Sequence, residues 1–248
     1  MSPPTGAPAS FELGRVIDRT FRVLAGNFGV FVVLSLILAG IPAAVAGYAR
    51  WRVGVLDGGG QLISLVMSMI ASVLLQAALI HGVISDLNGR RASLGDCLRT
   101  ALTHVLPLIG IGLMGGIATF LGLIFFILPG VVIALALSVA GPVRVVERLG
   151  VFDSMGRSAS LTRDHRGVIL VLAVLNTILV GVGSAIGAGV AGIAGLGGPA
   201  SPLALVLVTP FLQATTSLIG AAGVASVYFE LRTIKEGVGV EALAAIFD

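Results

Sequence analysis

The chain has 248 residues, 56% of them hydrophobic and 11% charged, with a mean hydropathy of +1.08. Soluble domains carry about 25% charged residues, so this composition excludes a water-soluble globule and points to an integral membrane protein. The net charge of +3 and pI near 9.7 then reflect where charges sit relative to the membrane and are not a nucleic-acid signal.

Residues 1–10, MSPPTGAPAS, lack a basic n-region and a cleavage site behind an apolar run. They read as a short disordered tail and not as a signal peptide, leaving 11–248 as one membrane domain. The next segment, LGRVIDRTFRVLAGNF at 13–28, is amphipathic at helical spacing. Leu13, Val16, Ile17, Phe21 and Leu24 share one face, and Glu12, Arg15, Asp18, Arg19 and Arg22 the other.

A span needs about 20 apolar residues. Spans are expected at 27–49 and at 62–84, after the LDGGGQ turn. Residues 105–143 hold no charge, which is too long for one span and enough for two short ones. The break is placed at ILPG, where Pro129 lacks a donor and Gly130 permits a tight turn, giving spans at 105–126 and 130–146. The last two are 167–194 and, after GLGGPASP, 203–229.

The basic residues choose a side. Thirteen fall on the N-terminal segment, the 85–104 and 144–166 connections and the tail, against Arg50 and Arg52 opposite. The positive-inside rule then puts both termini in the cytoplasm. The opening segment has looser echoes, SLGDCLRTALTHVLPL at 93–108 and GVFDSMGRSASLTRDH at 150–165, each just before an odd-numbered span. In the second, Leu94, Cys97, Leu98, Ala101, Leu102 and Val105 share a face and Ser93 with Asp96 forms a capping box. In the third, Val151, Met155, Ala159 and Thr162 do so more weakly. The fold expected is therefore all-α, six transmembrane helices in three hairpins, each preceded by a cytoplasmic amphipathic helix lying in the headgroup plane.

Two further stretches, GPVRVVERLGVFDSMGRSASLTRDHRGVILVL at 141–172 and VYFELRTIKEGVGVEALA at 227–244, together with the opening segment, carry a resemblance to a known family. The chain resembles the membrane domain found beside some bacterial glycerophosphoryl diester phosphodiesterases, and related six-helix inner-membrane families. The resemblance implies an inner-membrane protein with in-plane helices. It does not imply phosphodiesterase activity, since in those proteins catalysis resides in a separate soluble domain. The matching positions are Pro142, Glu147, Arg157, Ser158, Tyr228, Glu230, Arg232, Glu236 and Gly237, and the resemblance assigns them no role.

No catalytic constellation stands out. His81, His104 and His165 show no metal spacing, the single cysteine, Cys97, gives no metal set, and no Asp or Glu falls inside an expected span. No catalytic, cofactor or metal residue is assigned. GIGLMG, Gly110 to Gly115, matches a dinucleotide fingerprint but lies in a span, where close helix packing is the better reading, as for Gly112–Gly116 and Gly183–Gly187. Asn176 and Gln213 are expected to hydrogen-bond between the last two spans. Arg15, Arg19, Arg22, Arg99, Arg157, Arg163 and Arg166 are expected at headgroup depth, contacting anionic lipid or only marking orientation. The function expected is a non-catalytic, lipid-contacting scaffold or membrane organiser, with anionic lipids and a cytoplasmic protein as partners and no nucleic acid. The alternative is a small-solute or lipid transporter with a cavity between hairpins.

Overall fold

The computed structural model describes residues 11, 13–53, 58–87, 93–193, 206 and 208–236. The described residues form helices α1 (Leu13–Gly26), α2 (Phe28–Ser35), α3 (Ile41–Val53), α4 (Gly58–Leu87), α5 (Leu94–Phe125), α6 (Ile127–Leu137), α7 (Ala140–Glu147), α8 (Val151–Thr162), α9 (Arg166–Ile193) and α10 (Thr209–Glu236). A π-helical turn, Leu36–Gly40, joins α2 to α3. Six helical stretches are long and apolar enough to cross a membrane: Phe28–Ala49, Gln61–Val83, Leu94–Phe125, Ile127–Glu147, Arg166–Gly189 and Thr209–Glu236. The chain is a multi-pass, all-α membrane protein, as its composition requires. The expected tail, 1–10, lies outside the described residues, as do Gly237 and the GLGGPASP turn.

Prolines set the irregularities. A ring at position i clashes with the carbonyl of i−4 and removes a donor. Pro42 follows the π-helical turn, which absorbs that clash by widening the ladder. Pro142 sits in the first turn of α7, and the ladder breaks just before it at Ser138–Val139. The fourth span is therefore α6 and α7 in series. The α5–α6 break falls at Phe126, a single extended residue with φ −160° and ψ 145°. Pro129 lies three residues on, in the first turn of α6, where its missing N–H leaves no bond unmade.

The second echo is not a helix of its own. Nothing between Leu94 and Val105 stops a helix, so it continues into the span as the first turns of the 32-residue α5. At 1.5 Å per residue α5 is about 48 Å long, more than the ~30 Å of hydrocarbon. The third echo, α8, is separate, but its buried face is Ser154, Ser158, Leu161 and Thr162; of the expected Val151–Met155–Ala159–Thr162 stripe only Thr162 is fully buried, and the face is rotated from the rest.

The core sits among α2, α4, α7 and α10, where Phe31, Leu34, Leu75, Leu79, Ile80, Val83, Tyr228 and Leu231 are fully buried. α9 is peripheral: only 6% of its span is buried. It touches α10 and α6 and otherwise presents apolar side chains that a bilayer would cover.

Candidate functional site

The Arg-rich end of the bundle is a polar network joining α1, α7, α8 and α10. α10 continues seven residues beyond the expected end of the last span, so Glu230 is a helical residue, its side chain only 3% exposed. Arg15 grips it through Nη2 at 2.8 Å and Nε at 2.9 Å, and Arg19 through Nη1 at 3.4 Å. One turn earlier on α10, Ser226 accepts a hydrogen bond from Thr20 at 3.0 Å, both buried. α1 is thus pinned along one side to α10, while Val16, Val23 and Leu24 fill the core.

The second half of the network centres on Glu147, the last residue of α7. It accepts from the Tyr228 hydroxyl at 3.0 Å and from Arg157 Nε at 3.1 Å. Arg157 also pairs with Glu236, which takes Arg232 Nε at 2.8 Å, and Arg232 Nη1 donates back to the Tyr228 oxygen at 3.1 Å. Lys235 closes the rim onto α8, donating to the Ser160 carbonyl at 2.5 Å and pairing with Asp164 at 2.9 Å. That contact holds the exposed Asp164 carboxyl below its usual range, first through the Lys235 hydrogen bond and then through its charge. Deeper down, Ser158 donates to the Ala136 carbonyl at 2.7 Å, where α6 ends.

Six of the residues quoted for the family resemblance, Glu147, Arg157, Tyr228, Glu230, Arg232 and Glu236, are therefore members of this network, and Ser158 and Pro142 shape the helix ends that carry it. They are spread over 90 positions of sequence, and no local spacing signalled that they meet. The only advance signal was FELR at 229–232, an acid at the end of an apolar helix.

The seven arginines separate into two groups. Arg15, Arg19 and Arg157 are held by buried or half-buried carboxylates, and Arg22 pairs with Asp18 on the exposed face of α1. Arg157 reaches past its own helix to Glu147 and Glu236. Arg99, Arg163 and Arg166 form no salt bridge or side-chain hydrogen bond among the described residues, and the Nε of Arg166 is buried without a partner.

Beside α1 runs a groove of about 440 Å³ between α1, α9 and α10, within the ~300–1,000 Å³ of small-molecule sites. Its walls are apolar: Ile17 and Phe21 from α1, Ile169 and Leu172 from α9, Gly223 and Val227 from α10. Asn176 and Gly220 line both this groove and a second cavity of about 610 Å³ deeper between α9 and α10. There Gln213, Ser184 and Thr216 join Asn176. Asn176 and Gln213 thus face one cavity, and no hydrogen bond connects them: the Asn176 amide stands against Gly220 instead. Among the described residues no group of His, Cys, Asp and Glu is arranged to hold a metal ion.

Comparison with known proteins gives a partial likeness. The chain is 34% identical over 94 residues to UPF0259 membrane proteins of Yersinia pestis (strain Pestoides F), Yersinia pseudotuberculosis serotype O:1b (strain IP 31758) and serotype O:3 (strain YPIII). The similarity covers 38% of this chain and 37% of each relative, so it spans little more than a third of their length. Their name states a membrane protein and no reaction. No family model matches the chain, and no solved structure does.

Proposed function

We propose that this protein is a non-catalytic inner-membrane protein, both termini cytoplasmic, that binds membrane lipid in the groove between α1, α9 and α10. One observation carries the reading: an apolar groove of lipid-chain character, open beside a peripheral helix, directly beneath a self-paired ionic network. The network satisfies most of the Arg-rich rim internally, so lipid contact concentrates at the groove and is not spread round a ring of arginines. The resemblance to the phosphodiesterase-associated membrane domain belongs to the same reading, because the residues it rests on build the network that fixes α1 and α10 as groove walls. The thirteen-to-two basic asymmetry supports the orientation.

Gly223 provides the test. A Cβ there meets nothing within 4 Å, so Gly223→Leu fills the groove without a backbone clash. Wild-type protein released from lipid nanodiscs should carry bound phospholipid by native mass spectrometry, and Gly223→Leu should lose it at unchanged melting temperature. Equal lipid retention by the folded variant would remove this reading. A second reading, transport, draws on the polar cavity that continues the groove at Asn176 and Gly220. It requires that Asn176→Leu abolish movement of a lipid or small solute across proteoliposomes while lipid retention persists.

A further inference from the structure

The groove reading gives a class of ligand, and the residues at its mouth specify a headgroup. Building on that reading, we infer that the groove takes one acyl chain of an anionic glycerophospholipid, whose phosphate is read by Arg166 with Arg163 beside it.

On α9, Ile169, Ala173 and Asn176 line the groove. Arg166 stands at i, with these at i+3, i+7 and i+10, so it shares their helical stripe and lies one turn beyond the last of them. The start of the α1 segment comes to the same place: the rings of Phe11 and His165 are 5.5 Å apart. Among the described residues, two buried nitrogens at this turn, Arg166 Nε and His165 Nδ1, have no hydrogen-bond partner, and the exposed Arg163 forms no salt bridge. The rim arginines of α1 and Arg157 are held by carboxylates; among the described residues Arg163 and Arg166 have no acid partner at this end of α9, while Arg144 donates to the Leu149 carbonyl and Arg99 stands on α5.

Charge complementarity selects the occupant. Asp164, the acid in this turn, is taken by Lys235. Among the described residues a zwitterionic headgroup's ammonium finds no unpaired carboxylate there, whereas an anionic headgroup brings only the charge that Arg163 and Arg166 complement. Arg166 opens the 28-residue α9, and the first turn of a helix favours an anion near it. Apolar walls beneath accept the chain.

The test uses the full chain in nanodiscs of equal phosphatidylglycerol and phosphatidylcholine, with bound lipids weighed by native mass spectrometry. Wild type should favour phosphatidylglycerol. Arg166→Gln should lower the ratio of bound phosphatidylglycerol to phosphatidylcholine about fivefold, the factor that about 1 kcal/mol per basic group at a negative surface represents. Arg166→Lys should restore part of it, and Arg99→Gln should leave it unchanged. Should Arg166→Gln fail to fold, Arg163→Gln must lower the ratio in the same direction. An unchanged ratio in these variants, while Gly223→Leu still depletes both lipids, overturns the headgroup inference and leaves the groove reading standing. Retention of both lipids by Gly223→Leu removes the groove reading itself. Inorganic phosphate is the remaining arm: displacement of phosphatidylglycerol by millimolar phosphate alone would make this a free-phosphate site and overturn the lipid assignment.

Discussion

Glu230 and its two arginines are unequal partners. The carboxylate is buried, with 3% of its side chain exposed, while Arg15 and Arg19 keep 44% and 26%. Removing the arginines strands a charge out of water; removing the carboxylate leaves cations that can still reach solvent or headgroups. The double substitution Arg15→Gln with Arg19→Gln should therefore destabilise the protein by about 3–5 kcal/mol, and Glu230→Gln by only about 1–2 kcal/mol. Thermal unfolding in one detergent checks the order, and a larger loss for Glu230→Gln would refute it. Tyr228 is fully buried, and its hydroxyl both donates to Glu147 and accepts from Arg232. Tyr228→Phe keeps the ring and deletes both bonds, so a loss of about 1–3 kcal/mol is expected, read as a lower melting temperature with lipid retention unaltered.

The spaced glycines do mark close helix approach: a Cβ at Gly187 would meet Leu212 Cδ1 at 2.0 Å and one at Gly112 the Met69 Cε at 3.4 Å, although Gly116 has nothing within 4 Å. The closest approach of backbone to backbone falls instead at the α5–α6 hairpin, which no glycine spacing marked. A Cβ at Gly122 would come within 2.9 Å of the Gly130 Cα, and one at Gly130 within 2.7 Å of the Leu123 nitrogen. These glycines let the chain reverse at Phe126 with the two backbones almost touching. Gly130→Ala should accordingly lower the melting temperature markedly, since the Leu123 backbone nitrogen as well as its side chain obstructs the methyl, and overpacking costs about 1–3 kcal/mol. Gly116→Ala should be neutral; equal effects from the two would contradict this account. At the same scale, α8 is held by hydroxyls as much as by apolar contacts, because Ser158 and Thr162 turn inward toward the Ala136 carbonyl.

For the whole molecule the open prediction is orientation. With both termini cytoplasmic, a membrane-impermeant thiol reagent applied to intact cells should label a cysteine placed at Gly198 and spare one placed at Arg99, an exposed site on the Arg-rich end. Native Cys97 is buried, so it would resist the reagent on either side and must first be replaced, for instance by Ala. Labelling at position 99 and protection at 198 would invert the topology. The same bundle explains why α9 can wall a groove: it is anchored along α10 and at α6, and the rest of its surface is left to the bilayer.

The sequence alone determined that this is a six-span, all-helical membrane protein, because hydrocarbon thickness and the scarcity of charge allow little else. It placed the break between the third and fourth spans within a few residues of Phe126, since 39 uncharged residues are too long for one span and ILPG suits a helix start. It also picked out Glu147, Arg157, Tyr228, Glu230, Arg232 and Glu236 as a pattern without a meaning. Only the tertiary structure decided that these residues meet, because their contacts cross from α1 to α10 and from α7 to α8, where no sequence period reaches. The same packing decided which arginines are satisfied within the protein. An arginine's spacing fixes its helical face, and only the neighbouring helix fixes whether a carboxylate waits there.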